Sequence, residues 1–149
     1  MMREALASGG KILIFGNGGS ASDAQHFASE LVNRFQRVRA AFAGIALTTD
    51  SSVLTSIAND DSFERVFVRQ IEALGRPGDV AVGISTSGNS SNVIAALDYA
   101  RRHRLATVAL TGATPMVADI CVTVPAAITA RIQEVHRTII HAWCELIEG

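Results

Sequence analysis

Apolar positions along the chain gather into short continuous runs, separated by longer stretches in which they recur every three or four residues. The runs at residues 11–15, 42–48, 79–84, 107–110 and 120–124 predict five strands. Runs that are apolar throughout, rather than alternating with polar residues, belong to a parallel sheet covered on both faces. The stretches between them predict helices over residues 22–35, 50–58, 62–74, 91–102 and 130–148. In the first of these, Ala24, Phe27, Ala28, Leu31 and Val32 share a face; in the last, Ile132, Val135, Ile139, Trp143 and Ile147 form the apolar stripe. Gly75-Arg76-Pro77-Gly78 reads as a turn, because proline sets φ and glycine relaxes the exit. Strands alternating with helical crossovers give an α/β doubly wound three-layer sandwich with a five-stranded parallel sheet. Binding sites in such sheets lie beyond the carboxyl ends of the strands.

Two polar, glycine-bearing loops fall at those ends. Ser85-Thr86-Ser87-Gly88-Asn89-Ser90 joins a buried strand to a helix start and carries four hydroxyls. Hydroxyls and free helix N–H groups make a cradle for phosphate. No Walker lysine accompanies it, so a phosphomonoester fits better than a nucleoside triphosphate. A serine-rich helix cap would account for one or two of these hydroxyls, not four. The other loop, Gly16-Asn17-Gly18-Gly19-Ser20, contains G-x-G, but Ala21 stands where a dinucleotide fingerprint needs its third glycine. It is better suited to placing backbone N–H groups, with Asn17 or Ser20, against a small polar ligand.

His26 and Glu30 follow that loop at i, i+4 spacing, on one helix face near the strand ends. The plain alternatives are a surface histidine and a Glu30–Arg34 salt bridge. Gln133 and His141, eight apart on the last helix, can also share a face. A carboxylate, two imidazoles and an amide suit zinc. They equally suit metal-free proton transfer by a glutamate and a histidine. Beside a phosphate cradle, either points to aldose–ketose isomerisation of a phosphorylated sugar.

Composition narrows the partners. The 149 residues carry 13 basic and 14 acidic side chains, a net charge of −1, which removes any global attraction to nucleic acid or anionic membrane. No apolar run approaches the roughly 20 residues of a transmembrane span, nor is there a signal-peptide pattern. Cys121 and Cys144 lie in apolar segments without a CxxC partner, as buried thiols of a cytoplasmic protein would. A mean hydropathy of +0.27 points to apolar surface covered by another subunit.

Taken in order, several segments closely resemble the sedoheptulose 7-phosphate isomerases (phosphoheptose isomerases), a family of sugar-isomerase (SIS) domains. They are Gly16-Asn17-Gly18-Gly19-Ser20, Asp23-Ala24-Gln25-His26-Phe27-Ala28-Ser29-Glu30-Leu31, Asn59-Asp60, Ile84 to Ser90, Leu110-Thr111-Gly112 and Arg131-Ile132-Gln133-Glu134-Val135-His136. The resemblance implies one SIS domain over residues 1–149. It implies conversion of D-sedoheptulose 7-phosphate to D-glycero-D-manno-heptose 7-phosphate through an enediol, the entry to bacterial heptose and so to lipopolysaccharide and related glycans. His26, Glu30, Gln133 and His141 match zinc-holding positions, and Glu30 and His141 match the acid/base pair. Ser85, Thr86, Ser87 and Ser90 match the phosphate cradle; Asn17, Gly18, Gly19, Ser20, Asn59, Asp60 and Gln133 match the substrate-binding set. A homotetramer is implied, with Gln133 and His141 expected to complete a neighbour's site.

The chain departs from the family in two places. Ten residues precede Lys11, where members carry a long helical segment, and the stretch after Gly112 is short at Ala113-Thr114-Pro115-Met116. The binding-only alternatives are a SIS protein that associates with the replication initiator DnaA, and a phosphosugar sensor. Glu30, Ser87 and His141 are the residues that separate the isomerase from the first. A sensor has no use for His26, Glu30 and His141 together. A phosphosugar lyase or etherase fits the four-residue set less well than the isomerase does.

Overall fold

The computed structural model describes all 149 residues. Strand β1 (Ile12–Gly16) is buried at every position, and its side chains divide alternately between two cores. Ile12 and Ile14 enter one core with residues of helices α2 (Gly19–Val32) and α6 (Thr129–Glu148). Leu13 and Phe15 enter the other, with residues of α4 (Val68–Leu74) and α5 (Ser91–Arg102). Helix α1 (Met2–Ala7) packs against α6, and α3 (Ser51–Asp60) lays Leu54 and Ile57 on the second core. The remaining strands are β2 (Gly44–Ala46), β3 (Val80–Ser85), β4 (Ala106–Thr111) and β5 (Ile120–Thr123). All pair in parallel in the order β2-β1-β3-β4-β5. This is the three-layer α/β sandwich expected from the runs of apolar residues.

Polar anchors set the register at the end of the sheet away from the glycine loops. The buried Asp79 accepts the Lys11 backbone N–H at 2.9 Å and its Nζ at 2.6 Å, levelling the starts of β1 and β3. Asp119 accepts the Thr107 N–H at 2.7 Å and does the same for β4 and β5.

Several boundaries differ from the sequence reading. Strand β2 keeps only three residues, because the Phe42 N–H bonds the Leu31 carbonyl instead of a neighbouring strand. The helix predicted over residues 62–74 breaks into a 3-10 turn (Phe63–Arg65) and α4, with Val66 and Phe67 between them driven into the core. Helix α2 starts at Gly19, earlier than glycine's weak helix propensity suggests. It also stops at Val32, short of Phe35.

On α6 the buried stripe is Ile132, His136, Ile140, Cys144 and Ile147, with Val135 left 41% exposed. The helix is rotated from the predicted setting so that His136 enters the core, its Nε2 3.0 Å from the Thr111 carbonyl oxygen. Burial lowers the pKa of His136, more than that carbonyl raises it. Both cysteines are unpaired, and burial pushes the Cys144 thiol up to about 12. No helix is long and apolar enough to cross a membrane.

Candidate active site

The order of the sheet reverses between β1 and β3, and both glycine loops leave the strands at that switch point, where such folds bind ligands. After β1, Gly18 turns the chain with φ of +55°, open to glycine, and α2 begins at Gly19. After β3, two hydroxyls converge on that of Ser85. Ser85 Oγ lies 2.9 Å from Ser90 Oγ and 3.3 Å from Ser87 Oγ, and Ser87 Oγ accepts the Asn89 N–H at 3.1 Å. Ser90 occupies the cap position of α5, yet its side chain makes no capping hydrogen bond. The serines therefore face one another rather than close the helix, as an anion cradle requires and a simple cap does not. Thr86 is half-buried in the same loop.

A residue outside the predicted set joins the two loops. The amide of Asn17 donates to Asn92 Oδ1 at 2.8 Å and receives the Asn92 amide at 2.9 Å. Asn92 is buried in the first turn of α5, so Asn17 spends its side chain fixing one loop against the other. Asn92→Ala should lower stability by about 1–3 kcal/mol in urea unfolding, since it strands the Asn17 amide, and should weaken phosphosugar binding in titration calorimetry.

The titratable residues meet across two helices of one chain. His26 and Glu30 lie on α2 and His141 on α6; the two Nε2 atoms are 2.8 Å apart, and Glu30 Oε1 is 3.5 Å from His26 Nε2. Glu30 thus pairs with His26, not Arg34. Burial lowers the His26 pKa, with Arg137 and His141 acting the same way and Glu30 opposing them. A neutral imidazole keeps a lone pair for a metal or a proton. One ligand atom from each of His26, Glu30 and His141 falls within 4.8 Å of the others, and this donor set fits zinc.

Gln133 lies over Gly19, where a Cβ would overlap its amide, while Ile132 packs on Gly112 beside Thr86. The first turn of α6 therefore spans both loops. Gln133 and His141 share an open cavity of about 610 Å³ with Gly19, Ser22, Asp23 and Arg137. His141 meets His26 of its own chain, because α6 folds back on α2.

The SIS domain family model matches residues 1–112. Over 149 aligned residues, covering 97% of this chain and 76% of the relative, the sequence is 56% identical to the phosphoheptose isomerase of a Roseiflexus species. The chain belongs to the phosphoheptose isomerases. A solved phosphoheptose isomerase from Neisseria gonorrhoeae superposes with a TM-score of 0.90 at 49% identity, covering 99% of this chain and 80% of that one. One from Francisella tularensis gives 0.91 at 38% identity, covering 98% and 80%.

Within this phosphoheptose isomerase framework, His26, Glu30 and His141 cluster, Gly19, Gln133 and His141 line one cavity, and Ser87 and Ser90 both reach Ser85. Gly18 is exposed at the head of α2, whereas Ser20 is buried in its first turn. Asn59 and Asp60 stand apart, exposed at the end of α3 and hydrogen-bonded to one another at 2.7 Å. Their helix packs on the core opposite to that of α2 and α6. Sequence reasoning passed over Asp23 and Arg137, which pair at 2.8 Å beside His141. Helical spacing held the signal: Asp23 is three residues before His26, and Arg137 four before His141.

Proposed function

We propose that this chain isomerises D-sedoheptulose 7-phosphate to D-glycero-D-manno-heptose 7-phosphate, the first step of bacterial heptose biosynthesis. The observation that carries this reading is the convergence of Glu30, His26 and His141 from two helices in a chain otherwise built as a phosphoheptose isomerase. Ser85, Thr86, Ser87 and Ser90 hold the phosphate through neutral donors. Gly18, Gly19 and Gln133 line the sugar, with Asn17 holding the loop that presents the glycines.

Glu30 takes the proton from C1 of the ketose while His141 delivers one to the C2 oxygen, giving the enediol. His141 then recovers the O1 proton and Glu30 returns its proton to C2, so no proton is gained or lost. A carboxylate for carbon and an imidazole for oxygen suits their chemistry near neutral pH. His26, Glu30, Gln133 and His141 would hold zinc, which when bound supplies Lewis-acid polarisation of a substrate oxygen. Residues 1–149 act as one SIS unit, and copies assemble as a homotetramer. Apolar side chains left at the surface support the assembly, among them Leu146 (70% exposed) and Ile128 (64%). The unpaired cysteines support a cytoplasmic setting.

The test is an NMR assay on sedoheptulose 7-phosphate with chelator-stripped and zinc-supplemented protein. Aldoheptose signals should appear and be strongest with zinc. Tight binding without product would replace the isomerase by a phosphosugar sensor. Equal rates in both preparations, with no zinc retained, would leave the chemistry to the side chains alone.

A further inference from the structure

Glu30 sits in the last turn of α2, so its carboxylate is placed only as well as that turn is held. The segment beyond it, residues 33–43, has no regular structure, and two side chains tie it down. Arg39 reaches back to the helix end, where Nη2 donates to the Glu30 carbonyl at 2.7 Å and Nη1 to the Leu31 carbonyl at 2.9 Å. These carbonyls have no partner within the helix, and a guanidinium is the cation best shaped to serve both. Glu148, on the last turn of α6, accepts Arg39 Nε at 3.0 Å. It also accepts the backbone N–H groups of Phe35, Gln36 and Arg37 at 2.9, 3.0 and 2.9 Å.

The pair is not a solvated surface bridge: the Arg39 side chain is 13% exposed and that of Glu148 only 3%. Burial disfavours the Glu148 carboxylate, but the three N–H groups and the guanidinium outweigh it and hold its pKa down to about 2. The charge thus persists across any assay range. Folding the segment this way brings the Phe35 ring to 5.2 Å from the His141 ring, centre to centre. Glu148 itself lies seven residues beyond His141 on α6, two turns away on the same side. One network therefore grips the helix carrying Glu30, the helix carrying His141, and the ring that backs His141.

Resting on the reading of Glu30 and His141 as the acid/base pair, we propose that Arg39 and Glu148 are positioning residues. They clamp α2 to α6 and so set the carboxylate and imidazole at their working separation. Neither touches the substrate; both act through the helix end and Phe35.

Arg39→Lys and Glu148→Gln test this in the chain as it stands. Lysine keeps the charge without the fork, and glutamine turns an N–H toward groups that are themselves donors. Each variant should lose about 10- to 100-fold in kcat, the usual effect of removing a group that orients a working side chain. KM should stay within about twofold, because substrate binding is spared. Amide hydrogen exchange over residues 30–37 should quicken in both. An unchanged kcat, or a raised KM with kcat intact, overturns the proposal. If Glu148→Gln does not fold, Arg39→Lys alone decides by the same criteria. If the wild-type chain does not turn over sedoheptulose 7-phosphate, the functional reading fails separately. Exchange then judges the clamp: quickened exchange at 30–37 supports it and unchanged exchange overturns it.

Discussion

Replacing Glu30 with glutamine is expected to lower kcat by about a hundred- to ten-thousand-fold, the range attached to losing a positioned general base. Glutamine keeps the shape and a hydrogen-bonding oxygen but cannot take a proton from carbon. Calorimetric titration should show the phosphosugar still bound, since Ser85, Ser87 and Ser90 make their contacts without Glu30. Zinc content must be measured alongside, because the carboxylate is also one of the three clustered ligand groups. Retained turnover would remove Glu30 from the proton path. His141→Ala should be as severe. Mixing the two variant chains should restore nothing, because His26 and His141 of one chain stand 2.8 Å apart and each chain carries a damaged site of its own. Recovery of activity in mixed assemblies would show that a second chain supplies one of these groups.

The second large effect is expected at Gly88, through binding rather than chemistry. Gly88 is buried at the tip of the serine loop with φ of +67°, a region that residues with a Cβ enter at a cost. A Cβ there would also collide with the Thr114 carbonyl oxygen, which crosses the loop from the segment after β4. Gly88→Ala must therefore move one backbone segment off the other, at about 1–3 kcal/mol. The Ser85, Ser87 and Ser90 hydroxyls move with it. KM should rise far more than kcat falls, with a lower urea midpoint in the same preparation. Ser87→Ala supplies the comparison, removing one hydroxyl from an intact loop for about 1 kcal/mol of binding. If Gly88→Ala binds no worse than Ser87→Ala, the loop is not the rigid cradle described.

These sites differ in how far the sequence exposed them. The strand runs and both loops are local: five apolar residues bounded by glycine and serine say strand, then turn, wherever the rest of the chain lies. His26 and Glu30 were legible for the same reason, since i, i+4 spacing alone puts them together. What local spacing could not show was the reach of distant partners. Helix α2 was read through to Phe35, but Glu148 takes the N–H groups of residues 35–37 for itself and ends the helix early. The setting of α6 was off because Val135 looks more like core than His136, until the Thr111 carbonyl satisfies one nitrogen of that imidazole. Asn92 looked like an ordinary helix residue; only the approach of Asn17 makes it a strut.

The sequence separations of the contacts also imply an order of events during folding. Ser85 and Ser90 are five residues apart, so their contact closes within β3, a turn and the head of α5. Asn17 and Asn92 are 75 apart, and His26 and His141 are 115 apart. Closing the longer loops costs more chain entropy, and α6 follows every strand in the chain. The growing polypeptide therefore completes its phosphate loop well before its proton-transfer centre. The proton-transfer centre is thus the last part of the site to be assembled, made only when α6 returns to α2.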